Sequence, residues 1–214
     1  MLDFQIQFIE FAIACGALRF GNFTLKSGRT SPYFFNAGLF NSGEKLHKLG
    51  RFYADALASS GLACDMLYGP AYKGIPLVCA TAIAAARFHG KDYPYAFNRK
   101  EEKAHGDGGL IVGAPLRKRV LIVDDVITAG TSVGESVEII RQHGASACGV
   151  LIALDRQEKT PDGRSTLGMI EQVYGLKVNA IVTMDQIIAY LAQQKGYQEE
   201  VEKIRIYRET FGVQ

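Results

Sequence analysis

The sequence comprises 214 residues with a formal charge of +2, of which 48% are hydrophobic and 21% charged. That length fits one domain with a full-sized core, and the composition excludes a disordered chain. So small a net charge excludes nucleic acid as the main partner.

Residues 2–14, LDFQIQFIEFAIA, have the spacing of an amphipathic helix, with Leu2, Ile6, Ile9 and Ile13 on one stripe. From residue 18 the pieces LRFGNFTLKSG and SPYFFNAG read as short strands separated by turn residues. Asn41 followed by Glu44 predicts a capping box, after which Leu46, Leu49, Tyr53, Ala56 and Leu57 keep helical spacing up to Gly61. The chain then alternates. DMLYGP (65–70) reads as a strand, GIPLVCATAIAAARFHG (74–90) as an Ala-rich helix and PYAFN (94–98) as a second strand. A charged, Gly-rich stretch over 99–118 follows, then the strand RVLIVDD (119–125) and the helix TSVGESVEIIRQHG (131–144). ACGVLIALDR (147–156) and KVNAIVT (177–183) are further strands with a helix between them, and MDQIIAYLAQQ and QEEVEKIRIYRETF close the chain as helices.

Repeated strand–helix units whose strands are apolar on both faces predict an α/β fold, a mostly parallel central sheet with helices on both faces. In such sheets ligands bind beyond the carboxyl ends of the strands. That rule singles out the residues after Tyr68, Phe97, Val123 and Leu154, each followed by polar or Gly-containing sequence.

Asp124 and Asp125 follow the buried run Val120–Val123. Two readings are open for them: solvated strand-end carboxylates, or acceptors for the hydroxyls of a vicinal diol. The next residues favour the second. Thr128, Ala129, Gly130, Thr131 and Ser132 supply backbone N–H groups, hydroxyls and a helix start, all suited to a phosphate. The spacing is not that of a GxxxxGK[ST] loop, and no strand is followed by GxGxxG. A ribose carrying its own phosphate fits both halves of the segment. GPAYKGIP (69–76) adds Tyr72 and Lys73 in a tight turn, FNRKEEKAHGDGG (97–109) adds Arg99, Lys100, Lys103 and His105, and Arg156 follows VLIALD. With phosphates nearby, the charged segment reads as a lid that brings cations to a polyanion.

Cys15, Cys64, Cys79 and Cys148 form no CxxC pair and read as free thiols of a reducing compartment. The four histidines make no metal-ligand spacing, so no metal held directly by protein is expected. With neither a leader-like segment nor an apolar run long enough to span a bilayer, the expectation is a cytoplasmic protein without a membrane partner.

VLIVDDVITAGTS resembles the phosphoribosyl-pyrophosphate (PRPP) signature of type I phosphoribosyltransferases. FTLKSGRTSPYFFNAGLF, GPAYKGIPL, YAFNRKEEKAHGDGG and LIALDRQE extend the resemblance to the orotate-using bacterial branch of that family, over nearly the whole chain. The resemblance implies a single domain over 1–214, with 1–40 contributing a base-binding hood and 99–112 forming a mobile lid. It implies transfer of the phosphoribosyl group from PRPP to orotate, giving orotidine 5′-monophosphate and pyrophosphate. Asp124 and Asp125 would then take the ribose hydroxyls, and Val126, Ile127 and the Thr128–Ser132 segment the 5′-phosphate end. Lys26, Tyr72, Lys73 and Lys100 would face PRPP, with Arg99, Lys103 and His105 arriving from the neighbouring subunit of a homodimer. Lys26, Phe34, Phe35, Thr128 and Arg156 would contact orotate. Mg²⁺ would come as cofactor, carried mainly by the substrate, and Ala71–Tyr72 would be a cis peptide. Ala104 departs from the acidic residue the family leads one to expect, and residues 157–172 match it less well. A purine-using relative shares the signature but has no use for Arg156 opposite a base carboxylate. A non-catalytic PRPP sensor has no use for Lys100, Lys103 and His105.

Overall fold

Met66, Leu67 and Tyr68 are all buried, as are Val120 through Val123 and Val150 through Leu154, and only strands covered on both faces can bury consecutive side chains. The computed structural model describes residues 1–25, 28–103, 109–128, 130–160 and 163–213, the side chains of residues 102 and 103 excepted. Helix α1 (Asp3–Ala14) leads into β1 (Leu18–Thr24) and β2 (Thr30–Phe35), and α2 (Gly43–Ser60) follows. Strand β3 (Met66–Gly69), α3 (Gly74–His89), β4 (Tyr95–Lys103), β5 (Gly109–Gly113), β6 (Arg119–Val123) and α4 (Thr131–Gln142) come next. The chain ends with β7 (Ser146–Asp155), α5 (Thr166–Tyr174), β8 (Val178–Thr183), α6 (Met184–Leu191) and α7 (Gln198–Phe211).

Six strands form one sheet in the order β5-β4-β3-β6-β7-β8. All its pairings are parallel except β4 with β5. Alternation along each strand sorts the core onto two faces. Leu67, Leu121, Val123, Leu151 and Ala153 face α1, α2, α6 and α7 together with Leu77 and Val78 of α3. Met66, Tyr68, Val120, Ile122, Val150 and Ile152 face Val133 and Ile140 of α4 and Ile170 of α5. The strand after β3 lies to one side of it and β6 to the other, so the order reverses between β3 and β6, where an open α/β sheet leaves a crevice. Strands β1 and β2 form a separate two-stranded antiparallel sheet, with an irregular register between Phe20 and Phe23.

Three local expectations are corrected. Ser42, not Asn41, caps α2, its hydroxyl accepting from the Lys45 N–H at 3.3 Å, while Asn41 Oδ1 takes the Lys45 ammonium at 3.4 Å. Residue 42 is the one with extended φ/ψ, and a cap needs that backbone as well as an oxygen. In α1 the fully buried residues are Phe8, Ile9 and Ala12, whereas Leu2 is exposed; Phe8 and Phe11 turn the helix toward Phe40 and Phe52. Residues 99–103, read as the start of a lid loop, continue β4 and pair with β5. Charge did not prevent a strand there, because only one edge of this arm meets the sheet.

Leu121 has no exposure and sits in the strand next to the crevice. Leu121→Ala should cost about 2–5 kcal/mol of unfolding free energy in urea titration, the range for a leucine-sized cavity in a packed core.

Candidate active site

A cavity of about 1620 Å³ opens beyond the carboxyl ends of β3, β6 and β7. Thr24, Leu25, Phe34 and Phe35 of the small sheet roof it, and Asp124, Asp125 and Lys73 stand at the β3–β6 switch point.

Asp124 and Asp125 are 8% and 5% exposed, and their backbone is tied to the neighbouring strand: Asp124 N–H donates to Leu151 C=O (3.0 Å) and Ala153 N–H to Asp125 C=O (2.8 Å). Tyr53 reaches from α2 to donate to the Asp124 carbonyl at 2.7 Å. Asp124 Oδ1 accepts from the Asp125 N–H (2.9 Å) and Oδ2 from the Ser132 hydroxyl (3.1 Å). Asp125 Oδ1 accepts from the Val126 N–H (2.9 Å), and its Oδ2 takes the Lys73 ammonium at 2.7 Å. Burial first, then the neighbouring Asp125 charge, pushes the Asp124 carboxyl up to about 6.

The loop from Asp124 runs through Val126, Ile127 and Thr128 to Gly130, which has φ +77° and precedes α4 without a side-chain cap. A β-carbon at Gly130 would approach Met169 to 3.0 Å besides being strained by that φ. The first N–H groups of α4 are therefore left for a ligand, the arrangement that receives phosphates. Thr131 and Ser132 are exposed beside it.

Opposite lies the turn Pro70–Lys73, whose Ala71–Tyr72 peptide is cis, as the sequence resemblance implied. Asn98 at the end of the adjacent strand holds it, accepting from the Ala71 N–H and the Tyr68 hydroxyl, both at 2.9 Å. Gly69 has no room for a side chain: a β-carbon would stand 2.1 Å from the Gly74 carbonyl oxygen. Tyr72 is 70% exposed and, with Lys73, faces the cavity.

At the other end, Arg156 lies beneath the small sheet. Its Nε donates to the Tyr33 hydroxyl (3.2 Å) and its Nη2 to Glu158 Oε1 (2.8 Å), and its guanidinium stands 5.0 Å from the Tyr33 ring centre. Glu158, 9% exposed in its side chain, also accepts from Arg29, Tyr33 and Tyr207.

The structure thus brings Tyr72, Lys73, Asp124, Asp125, Val126, Ile127, Thr128, Ser132, Phe34, Phe35 and Arg156 to one cavity. Among the described residues Arg99 and Lys100 lie outside its wall: Arg99 Nη1 donates to Gly109 C=O within its own arm (2.9 Å), and Lys100 is exposed. Lys26, Ala129 and His105, with Ala104, fall outside the described residues, as does the Lys103 side chain. Asn98, Tyr33, Arg29, Glu158 and Tyr207 were not singled out from sequence. Their only signal is position near strand ends; their partners are 27 to 129 residues away.

The phosphoribosyl transferase domain model matches residues 41–179, the segment that carries the sheet, the carboxylates and the phosphate loop. The chain belongs to the phosphoribosyl transferase family. Its full-length relatives place it in the orotate branch: it is 57% identical over 213 residues, all of both chains, to the orotate phosphoribosyltransferases of Salmonella agona and Salmonella newport. The crystal structure of the Francisella tularensis orotate phosphoribosyltransferase superimposes with a TM-score of 0.88 at 42% identity, covering 97% of this chain and 100% of that one.

The raised Asp124 pKa has a stability consequence. Between the ordinary 3.8 and about 6 the folded chain binds more protons than the unfolded one, so stability falls as pH rises through that window. Asp124→Asn should therefore stabilise the protein at pH 8 by about 2–3 kcal/mol, since one pH unit is about 1.36 kcal/mol. The gain should vanish at pH 4, where both are neutral; urea midpoints at the two pH values measure it.

Proposed function

We propose that the chain transfers the phosphoribosyl group of PRPP to orotate, giving orotidine 5′-monophosphate and pyrophosphate, through the residues assembled in this cavity. The observation that carries the reading is the buried Asp124–Asp125 pair with Lys73 on one side and Arg156 at the far end of the same cleft. Full-length identity of 57% to orotate phosphoribosyltransferases supports the choice of base.

The two carboxylates accept from the ribose 2′ and 3′ hydroxyls. The loop from Val126 through Thr128, Ala129, Gly130 and Thr131 to Ser132 takes the 5′-phosphate with neutral N–H and O–H donors. This phosphate is unchanged by the reaction, so binding it adds uniform affinity. Lys73, 63% exposed in its side chain, holds Asp125 until the diol arrives and then turns to the pyrophosphate. Lys26, Tyr72 and Lys100 serve the same end of PRPP. Phe34, Phe35, Lys26 and Thr128 frame the orotate ring, and Arg156 answers its carboxylate. Bond breaking to pyrophosphate runs ahead of attack by the pyrimidine nitrogen, so the main task is to neutralise a departing polyanion. One cation about 4 Å from that charge is worth roughly 4 kcal/mol at an effective dielectric of ~20.

Mg²⁺ enters with the substrate. Among the described residues no group of three or more His, Cys, Asp and Glu is placed to hold a metal, but the paired carboxylates offer the oxygen-only surroundings a hard cation accepts. When bound, it adds positive charge at the pyrophosphate.

Arg99, Lys103 and His105 act on the neighbouring subunit of a homodimer, which accords with Arg99 lying outside the cavity wall of its own chain. The setting is cytoplasmic, in keeping with four free cysteines and with the lack, among the described residues, of a helix long and apolar enough to cross a membrane.

The loss of orotate absorbance on adding PRPP and Mg²⁺ tests the reaction directly. Activity with orotate and none with adenine or hypoxanthine is expected, and Asp125→Asn should lose most turnover while remaining folded; full activity in that variant sinks the diol role. The shared site has its own test. Lys73→Ala and Lys103→Ala should each be nearly inactive, and mixed one to one with subunit exchange they should recover roughly a quarter of wild-type activity. No recovery despite demonstrated exchange refutes the cross-subunit arm.

A further inference from the structure

Glu158 is the centre of the base end of the cavity, yet nothing in the reaction requires a carboxylate there. Orotate is itself an anion, and a buried carboxylate two residues from Arg156 works against it on charge alone. Its contacts give the reason for its presence. Oε1 accepts from Arg156 Nη2 (2.8 Å), Tyr207 Oη (3.2 Å) and Tyr33 Oη, and Oε2 from Arg29 Nη2. The four donors come from the β1–β2 turn, β2, the end of β7 and α7.

Arg156 is held on one edge only. Nε is taken by Tyr33 and Nη2 by Glu158, and among the described residues Nη1 has no protein acceptor and is not buried, so that edge is open to the cavity it lines. Arg29 lines the same cavity, its guanidinium 4.6 Å from the Phe211 ring centre and 5.4 Å from that of Tyr207. Two guanidiniums against one carboxylate leave a single positive charge. A ring bearing one carboxylate neutralises it, whereas a neutral ring leaves it unpaired in a half-buried site. The Glu158 backbone is also fastened: it bridges to Gly212, the Lys159 N–H donates to Phe211 C=O and the Val213 N–H to Gln157 C=O, both at 2.8 Å.

We propose that Glu158 is the positioning residue of the base subsite: without touching the base, it aims Arg156, fixes Arg29 as a second cation, and joins α7 to the β1–β2 sheet so that the pocket fits a singly anionic ring. This rests on the reading of the site as one for orotate and PRPP. The ribose-phosphate end does not depend on it, because Asp124, Asp125 and the Thr128–Ser132 loop are held by β6, β7, α2 and α4.

The test is the split between the two Michaelis constants. Glu158→Gln keeps the side-chain length and one acceptor oxygen but removes the charge. It should raise KM for orotate about tenfold and leave KM for PRPP within twofold. Tyr207→Phe removes only the hydroxyl from α7 and should raise KM for orotate two- to threefold, again leaving PRPP alone; it serves as the gentler variant if Glu158→Gln fails to fold. A KM for orotate within twofold of wild type in folded Glu158→Gln, or a parallel rise of both constants in either variant, overturns the proposal. Wild type is measured in the same assay, and absence of orotate-dependent turnover there overturns the functional reading instead of the role of Glu158.

Discussion

The structure is organised around a carboxylate that ought not to be buried. Asp124 ends a strand whose preceding four residues are wholly enclosed, and leaving its charge there without partners would cost several kcal/mol. It is retained because a peptide N–H and a hydroxyl answer its two oxygens, while β7 and Tyr53 tie down its backbone. These restraints fix β6 against β7, the start of α4 and the buried face of α2 together. The carboxylate remains strained in charge, its pKa near 6, which is the state of an acceptor pair awaiting donors. A diol supplies them, and so the same arrangement that costs stability favours the ligand.

Charge is distributed along the cleft by what each part must do. The loop before α4 contains no lysine, so its affinity comes from backbone dipoles that stay in place throughout the reaction. Lys73 stands across from it on an exposed stem and exchanges partners. At the base end the cations are guanidiniums, whose planar forks can be locked by several acceptors at once. A flexible, exposed ammonium suits a charge that departs; a locked guanidinium suits one that stays.

How much of this the sequence could disclose depends on the range of the interaction. The strands of the large sheet are local signals, runs such as VLIV and VLIAL that no helix face accommodates, and their order follows from alternation with helices. Asp124, Asp125 and the loop to Ser132 are contiguous, so chemistry and spacing reveal them together. The α2 cap was misplaced by one residue because Asn41 and Ser42 are both capping types and only φ/ψ separates them. The pairing of residues 99–103 with β5 was not legible because its sequence is charged and its stability comes from the partner strand. The Glu158 cluster was invisible for a stronger reason. Arg29, Tyr33 and Tyr207 lie 129, 125 and 49 residues from it, and no periodicity encodes a meeting of side chains so far apart.

That separation has a consequence for how the site is built. The ribose-phosphate half is assembled from neighbours in one sheet, close in sequence to the strands that bear them. The base half needs the small N-terminal sheet, the end of β7 and the last helix at once. Helix α7 enters through Val201, Ile204 and Tyr207, a stripe at helical spacing buried in the larger of the two cores, and Tyr207 is its final member. The core residue and the site residue are therefore the same side chain: its ring packs edge-on to Tyr33 at 6.1 Å while its hydroxyl reaches Glu158. Loss of packing along α7 should reach the base subsite before it reaches the phosphates, because only the former is fastened to that helix. Specificity for the base then rests on the part of the molecule whose contacts span the whole chain, and recognition of the ribose phosphate on the part that forms from local units.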